Sequence, residues 1–454
     1  MVFSKVIVEG FKSFRVRQEI PFKSLTLLAG SNSSGKSSLM QPLLLLKQTL
    51  QDTSDPGPLR INGPHVVFSR AEQMMWHAPG EGERLSFNIG LELSLKGQVR
   101  RVEIFFQRRR KPRGAPSLQV VKCIWSDNPD TPPIELTPSL SENEIKKRFS
   151  EEIKILKDKL SGLAEESQQS TPNNGSSSLS FKVSRRRSFL VIEGHSTLFG
   201  PVSFAFPGWS TEIEHHLKRI IHVPGLRGNP QRTYPVRSVG EEYSGFFQEY
   251  VASIIARWQR QRGEKMEELN RALANMKLTW KVRSYQRNDA EVELQVGRTE
   301  QPLRGGAKDL VNITDVGFGL SQSLPIIVAL LVSEPDQLVY LEQPEIHLHP
   351  DAQVALTNLI ADAVNRGVQV VVETHSQLIL LGIQRAIAQQ QLNPNDVLLH
   401  WFSRDNQGRT EITSTTFSEE GSFNNPKMPT DFADISLRLM HEYLTAASDT
   451  ALRS

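Results

Sequence analysis

The sequence predicts an α/β protein with a mixed sheet, an antiparallel β lobe and a helical insertion, and three observations carry that prediction. Ser24-Leu25-Thr26-Leu27-Leu28-Ala29 reads as a buried strand that enters a glycine-bounded turn, Gly30 to Ser37, and leaves it as a helix from Ser38 to Leu50. From Leu310 onward, helical stretches alternate with the short apolar strands Leu338–Leu341 and Val368–Val372, the pattern of a parallel sheet covered by helices. Between Leu85 and Val121, segments such as Leu85–Ile89 and Val102–Phe106 alternate apolar and polar residues around a basic turn from Gln107 to Gly114, which predicts antiparallel strands.

The remaining elements follow in order. Ile145, Phe149, Ile153, Leu156, Leu160 and Leu163 recur at helical spacing and predict one amphipathic helix over Ser141–Leu163. Gln168–Ser178 is rich in Ser and Asn and reads as a loop. Glu241–Lys277, rich in Arg and Glu, reads as helix. Strands are expected at Val397–Phe402 and Glu411–Thr416, and a last helix at Asp431–Ala446.

With 454 residues the chain is too long for one ordinary core. Its 38% hydrophobic and 23% charged residues are those of a water-soluble protein, and no apolar run reaches bilayer length. Met1-Val2-Phe3-Ser4-Lys5 has no secretory apolar core, and the single cysteine, Cys123, excludes internal disulfides and cysteine-cluster zinc. A cytoplasmic protein with no membrane partner is therefore expected. A net charge of +3 does not imply nucleic acid, so any DNA contact rests on local clusters: Arg108-Arg109-Arg110-Lys111, Arg185-Arg186-Arg187, and Arg257, Arg260 and Arg262. These clusters read first as solvated surface.

Gly30 to Ser37, G-S-N-S-S-G-K-S, fits the phosphate-loop pattern G-x-x-x-x-G-K-[ST] in its required strand–turn–helix setting. Gly30 and Gly35 let backbone N–H groups converge on phosphate oxygens at the helix N-terminus. Lys36 would reach the β and γ phosphates of ATP and Ser37 would ligate Mg2+. Asn32, Ser33, Ser34 and Ser38 complete the candidate nucleotide-binding set. Leu338 to Pro344 is a buried strand ending in Glu342, placed to hold the magnesium shell, followed by Gln343 where a carboxylate usually polarises the attacking water. Glu345 is the nearest carboxylate able to substitute. Val370-Val371-Val372-Glu373-Thr374-His375-Ser376 places His375 at a strand's C-terminal end, within reach of a γ-phosphate. Asp315 to Pro325 leads into an apolar helix, with Ser321 at the expected helix start. Glu345, His347 and His349 can also be read as metal ligands, the weaker reading.

In this order the segments resemble the ATP-binding-cassette ATPases of the SMC and OLD (overcoming lysogenization defect) group. Gly10-Phe11-Lys12-Ser13-Phe14 resembles the opening strand and turn that border the adenine, which makes Lys12 and Ser13 nucleotide contacts. Gly30–Ser37 matches Walker A, and Gly319-Leu320-Ser321-Gln322-Ser323 stands at the signature, with Gln322 and Ser323 replacing its two glycines. Glu342 and Gln343 fall on Walker B and the catalytic glutamate, and Leu348-His349 on the D-loop. His375 falls on the switch histidine. Glu342 to Pro350, His222 to Pro230 and Trp401 to Phe423 are most similar to bacterial anti-phage defence ATPases of the Septu kind (PtuA).

The resemblance implies an ABC-type P-loop NTPase head. It divides the chain into an N-terminal ATPase lobe (1–125), an insertion (126–280), a C-terminal ATPase lobe (281–390) and terminal strands and helix (391–454). It implies a head-to-tail dimer or higher oligomer, with Ser321 acting in trans on the partner's nucleotide. The catalytic set is then Glu342, Gln343, Glu345 and His375, with turnover slowed by Gln343. About eighty residues follow His375, too few for the OLD nuclease domain together with the strands already read there. Cutting is therefore expected from a separate nuclease such as an HNH protein. The competing readings are a stand-alone DNA-binding repair ATPase and a nucleotide-bound scaffold with little turnover.

Overall fold

The computed structural model describes residues 2–77, 84–95, 97–109, 117–128, 131–151, 153–154, 179–196, 204–299 and 309–425. The expected loop at Gln168–Ser178, the terminal helix at Asp431–Ala446 and the turn at 110–116 lie outside them. The chain forms two compact units: Met1–Val2, Phe22–Leu39 and Arg219–Ser454 make one, and Phe3–Pro21 with Met40–Lys218 the other. Both are discontinuous in sequence, whereas the sequence reading cut the chain into four contiguous segments.

The first unit is built on a six-stranded mixed sheet. Its strands are β1 (Leu25–Gly30), β2 (Ile221–Val223), β7 (Leu338–Glu342), β8 (Gln369–Glu373), β9 (Val397–Arg404) and β10 (Thr410–Thr415). Their order is β2-β7-β8-β1-β9-β10, with only the last pair antiparallel. Strands buried on both faces lose the alternating pattern, and β1 is buried at all six positions. One face, carrying Leu25, Leu27, Val339, Leu341, Val370 and Val372, packs into the main apolar core. That core also takes residues from the helices α2 (Val251–Gln261), α3 (Glu264–Asn275), α4 (Phe318–Val332), α5 (Pro350–Asn365) and α6 (Gln377–Ala388). Helix α1 (Lys36–Leu50) starts directly after the phosphate loop. A smaller sheet pairs β5 (Glu291–Gly297) antiparallel with β3 (Tyr234–Pro235), β4 (Val282–Gln286) and β6 (Leu310–Asn312).

The second unit has a six-stranded antiparallel sheet in the order Gln18–Pro21, Phe3–Glu9, Ser86–Leu95, Gln98–Arg109, Ser117–Ser126 and Ile134–Leu136. A three-stranded sheet combines Leu179–Arg186, Phe189–Ser196 and Phe204–Phe206. Buried Trp125 ties the two sheets, donating from Nε1 to the Leu190 carbonyl at 3.0 Å and lying 5.5 Å from the Phe189 ring.

The fold class is as expected: α/β with a mixed sheet and an antiparallel lobe. Three elements differ. The helix expected over Ser141–Leu163 runs from Glu142 to Arg148, is interrupted at Phe149 and is helical again at 150–151 and 153–154, and its part from 155 lies outside the described residues. Ser141 and Glu144 cap its start reciprocally, a local signal strong enough to fix the N-terminus. The helix expected over Glu241–Lys277 is two, α2 and α3, because Arg262 adopts φ +50° and Gly263 then caps α3; residues 241–246 are not helical. Helix α4 begins at Phe318 with Gly317 as its cap, so Ser321 sits within the first turn and not at the start.

Candidate functional site

The parallel register builds the site. His222 of β2 lies beside Tyr340 of β7, and Glu342 beside Glu373 of β8. Side chains alternate along a strand, so His222, Tyr340, Glu342 and Glu373 share the sheet face opposite the apolar core. The C-terminal ends of β7, β8 and β1 therefore collect two carboxylates beside the phosphate loop.

The loop needs its glycines. Gly30 has φ +135°, and a Cβ there would lie 2.9 Å from both N and C of Phe402 on β9 and closer still to its carbonyl oxygen. Gly35 has φ +106° and Ser33 φ +60°. Asn32 and Ser33 are exposed, whereas Ser34, Gly35, Lys36 and Ser38 are buried. Thr410 of β10 donates to the Ser34 carbonyl at 2.8 Å and fixes the loop from outside. The Ser34 hydroxyl is buried without a hydrogen-bond partner. Lys36 donates from Nζ to the carbonyls of Gly30 at 3.2 Å and Ser31 at 2.7 Å. Burial pulls its ammonium below the usual lysine range, against the fields of Glu373 and Glu345.

Ser37 meets a carboxylate that the sequence reading left without a role. Its hydroxyl donates to Glu373 Oε1 at 2.9 Å, and the hydroxyl of fully buried Tyr340 donates to Glu373 Oε2 at 2.8 Å. Burial, then the neighbouring Glu342 charge, push the Glu373 carboxyl up, against its bonds to Tyr340 and Ser37. Glu342 is held differently. His222 Nε2 lies 3.1 Å from its Oε1, and the Gly225 N–H donates to its Oε2 at 3.2 Å. Burial opposes its charge, but the contact with His222 and the Gly225 N–H hold it below the ordinary carboxylate range. The His222 ring stacks on Tyr340 at 5.3 Å and 11°.

Arg227 completes this segment. Its guanidinium is buried and donates to the carbonyls of Glu342 at 3.1 Å, Gln343 at 3.4 Å and Gln322 at 3.3 Å, tying the end of β7 to the first turns of α4. Between Gly225 and Arg227, Leu226 is 89% exposed.

Gln343 takes φ +42° and its N–H donates to the Glu373 carbonyl at 2.7 Å. Glu345 accepts from the His375 N–H at 2.7 Å through Oε1, while Oε2 is buried without a hydrogen-bond partner. Burial raises the Glu345 carboxyl above its ordinary range, against the His375 bond. His375 is lowered by burial and then by the Lys36 charge.

The structure thus brings Gly30 to Ser38, Glu342, Gln343, Glu345 and His375 into one unit, around the ends of three adjacent strands. Lys12 and Ser13 belong to the other unit, where Lys12 has φ +49° and donates to Gln41 Oε1 at 2.9 Å. Ser321 donates to the Phe318 carbonyl at 2.8 Å, and among the described residues no hydrogen bond joins it to the loop. His349 caps α5, its Nδ1 accepting from the Asp351 N–H, and His347 packs edge-on against Phe318 at 5.2 Å. Among the described residues no group of three or more His, Cys, Asp or Glu is arranged to hold a metal, which leaves the Glu345–His347–His349 reading without support. Sequence reasoning gave no role to Glu373 and Tyr340, and had His222 and Arg227 only within a segment of family resemblance. Glu373 was visible as a carboxylate directly after the apolar run Val370–Val372.

A family model described as "AAA ATPase domain" matches residues 1–96, and one described as "AAA domain, putative AbiEii toxin, Type IV TA system" matches residues 257–381. No curated protein matches the chain. Among solved structures, the SMC head domain from Thermotoga maritima is 12% identical, with 91% of this chain and 98% of that chain covered and a TM-score of 0.41. An SMC head bound to the C-terminal winged-helix domain of ScpA is 12% identical over 92% and 98%, with a TM-score of 0.46. The SMC head with an extended coiled coil, bound to the C-terminal domain of ScpA, from Pyrococcus furiosus is 12% identical over 91% and 96%, with a TM-score of 0.44. The first match holds the phosphate loop and the second holds Ser321, Glu342, Gln343, Glu345 and His375.

Proposed function

We propose that the chain is an ABC-type ATPase that closes with a second copy around two ATP molecules, hydrolyses them slowly, and controls a separate nuclease effector in anti-phage defence. The observation that carries the ATPase reading is the meeting of Lys36 and Ser37 with Glu342 and Glu373 at the ends of adjacent parallel strands. The hard oxygen donors Ser37, Glu342 and Glu373 fit magnesium, which is commonly bound by one or two carboxylates plus substrate phosphates. The cradle that only glycine fills at position 30 fits a phosphate chain.

Bound Mg-ATP supplies the electrophilic γ-phosphorus and neutralises its charge. Lys36 offers an ammonium held at the loop by two carbonyls. Gln343 cannot accept a proton at neutral pH. Glu345 can: Oε1 is fixed by the His375 N–H, and the unpartnered Oε2 is the atom left to take a proton from water. Turnover by a raised, indirectly placed carboxylate is expected to be slow.

The face around Ser321 supports closure with a second copy. Leu226 at 89% and Phe318 at 42% exposure lie on the segments that flank Glu342 and Ser321. The defence role and the nuclease partner rest on the resemblance of Glu342 to Pro350 and His222 to Pro230 to Septu-type ATPases. The DNA-clamp reading has less support among the basic clusters: Arg185 pairs with Asp55 at 2.6 Å, and Arg187 donates to the carbonyls of Ser54 and Asp52. The low-turnover scaffold is favoured only by Gln343.

ATP titration, phosphate release and light scattering on the purified chain test this reading. Binding, slow release and ATP-dependent doubling of mass are expected, with Lys36→Ala losing binding by about 10²-fold or more. ATP binding that Lys36→Ala leaves intact would refute the site, and release at background level over hours would leave the scaffold.

A further inference from the structure

We infer that Glu373, at the end of β8, is a direct carboxylate ligand of the divalent cation, so that the metal is held between Ser37 and Glu373 while Glu342 is anchored to His222 and Gly225. The proposal deepens the ATPase reading above and rests on it. Three observations carry it. First, the oxygen of Ser37 assigned to the metal already touches Glu373 Oε1 at 2.9 Å, whereas the hydrogen bonds of Glu342 run to His222 Nε2 at 3.1 Å and the Gly225 N–H at 3.2 Å, and among the described residues none joins it to the loop. Second, Glu373 is aimed: Tyr340 grips Oε2 at 2.8 Å, which turns Oε1 toward the loop. Third, strand register sets Glu342 directly beside Glu373, and β1 on the other side of β8 leads into the loop. A buried carboxylate, Glu373, beside the half-buried Glu342 at a phosphate loop is a costly arrangement unless a cation sits with them. A Ser hydroxyl, one or two carboxylates and phosphate oxygens make a magnesium-type donor set.

Mn2+ is the probe, titrated by electron paramagnetic resonance in the presence of a non-hydrolysable ATP analogue, with analogue binding in EDTA measured separately. Glu373→Gln, nearly isosteric and able to keep contacts with Tyr340 and Ser37, is expected to weaken Mn2+ binding about tenfold or more. It should leave metal-free analogue binding within about twofold. Glu373→Asp, which keeps the charge, is expected to recover part of the loss. Tyr340→Phe, which loosens the aim of Glu373 without removing its charge, is expected to fall between. Unchanged Mn2+ affinity in Glu373→Gln, with a large loss in Glu342→Gln, would overturn the proposal and return the metal to Glu342. If Glu373→Gln fails to fold, the Tyr340→Phe and Glu373→Asp titrations decide: wild-type Mn2+ affinity in both overturns it. A wild-type chain that binds no analogue in EDTA or with Mn2+ refutes the ATPase reading itself, and this proposal with it.

Discussion

Glu345 stands two residues beyond the position where the sequence leads one to expect a base. Its Oε1 is pinned by the His375 N–H at 2.7 Å and its Oε2 is buried and unpartnered. Glu345→Gln is therefore expected to lower ATP turnover by about 10²-fold or more while leaving ATP affinity near wild type. Gln343→Glu is expected to change turnover little. A large gain there, with Glu345→Gln still active, would move the base to position 343. The pH dependence has a definite sign. A base must be deprotonated to act, and burial raises the Glu345 carboxyl, so turnover is expected to fall with decreasing pH through a midpoint above the ordinary glutamate value of about 4.3. That limb should vanish in Glu345→Gln. At this scale most of the site was legible: Gly30 to Ser37, Glu342 and His375 announce themselves by type and spacing. Glu373 was not, because its role depends on the register of β8 against β7, and pairing between strands thirty residues apart is invisible to local spacing.

Among the elements, the segment from His222 to Arg227 links two parts of the site that follow it in sequence by 95 residues, at Gln322, and by 115 or more, at Glu342 and Gln343. His222 enters through β2, an edge strand of only three residues. Arg227 then joins the carbonyls of Glu342 and Gln343 to that of Gln322 in α4. Its fork of donors suits three carbonyls, which an ammonium would not match. Removing it leaves one buried and two half-buried carbonyls short of a donor, so Arg227→Ala is expected to destabilise the first unit by about 1–3 kcal/mol, read as a lowered melting midpoint. Arg227→Lys should restore only part of it. A wild-type melt for Arg227→Ala would mean that water replaces the guanidinium and that the tie is dispensable. Strands such as β1 and β8 were readable as unbroken apolar runs between turn signals. The break at Arg262-Gly263 was not, because α2 and α3 carry one continuous helical composition and only the positive φ at Arg262 separates them.

At the scale of the molecule, each unit draws on distant stretches of sequence, and the strand before the phosphate loop pairs with strands more than three hundred residues later. Strand β1 of the first matched segment and strands β7 and β8 of the second therefore meet in one sheet of the first unit, while the rest of the first match runs largely through the other unit, which a reading by contiguous segments does not capture. What that unit leaves exposed bears on assembly. Leu226 is 89% exposed although its neighbours Gly225 and Arg227 both bind the end of β7, so its placement is fixed while its side chain contributes little to the fold. An aliphatic side chain held rigidly in water beside a nucleotide site gains by being covered, by roughly 1.5–3 kcal/mol when fully buried. If a second copy covers it, Leu226→Asp replaces that gain with a desolvated charge in each half of a symmetric interface. ATP-dependent association should then weaken by about 10²-fold or more, with the melting midpoint of the isolated chain and its ATP affinity unchanged. Sedimentation at several protein concentrations, with and without ATP, distinguishes the outcomes. Association unchanged by Leu226→Asp would place the contact surface elsewhere, whereas a lowered melting midpoint would mean that Leu226 supports the fold.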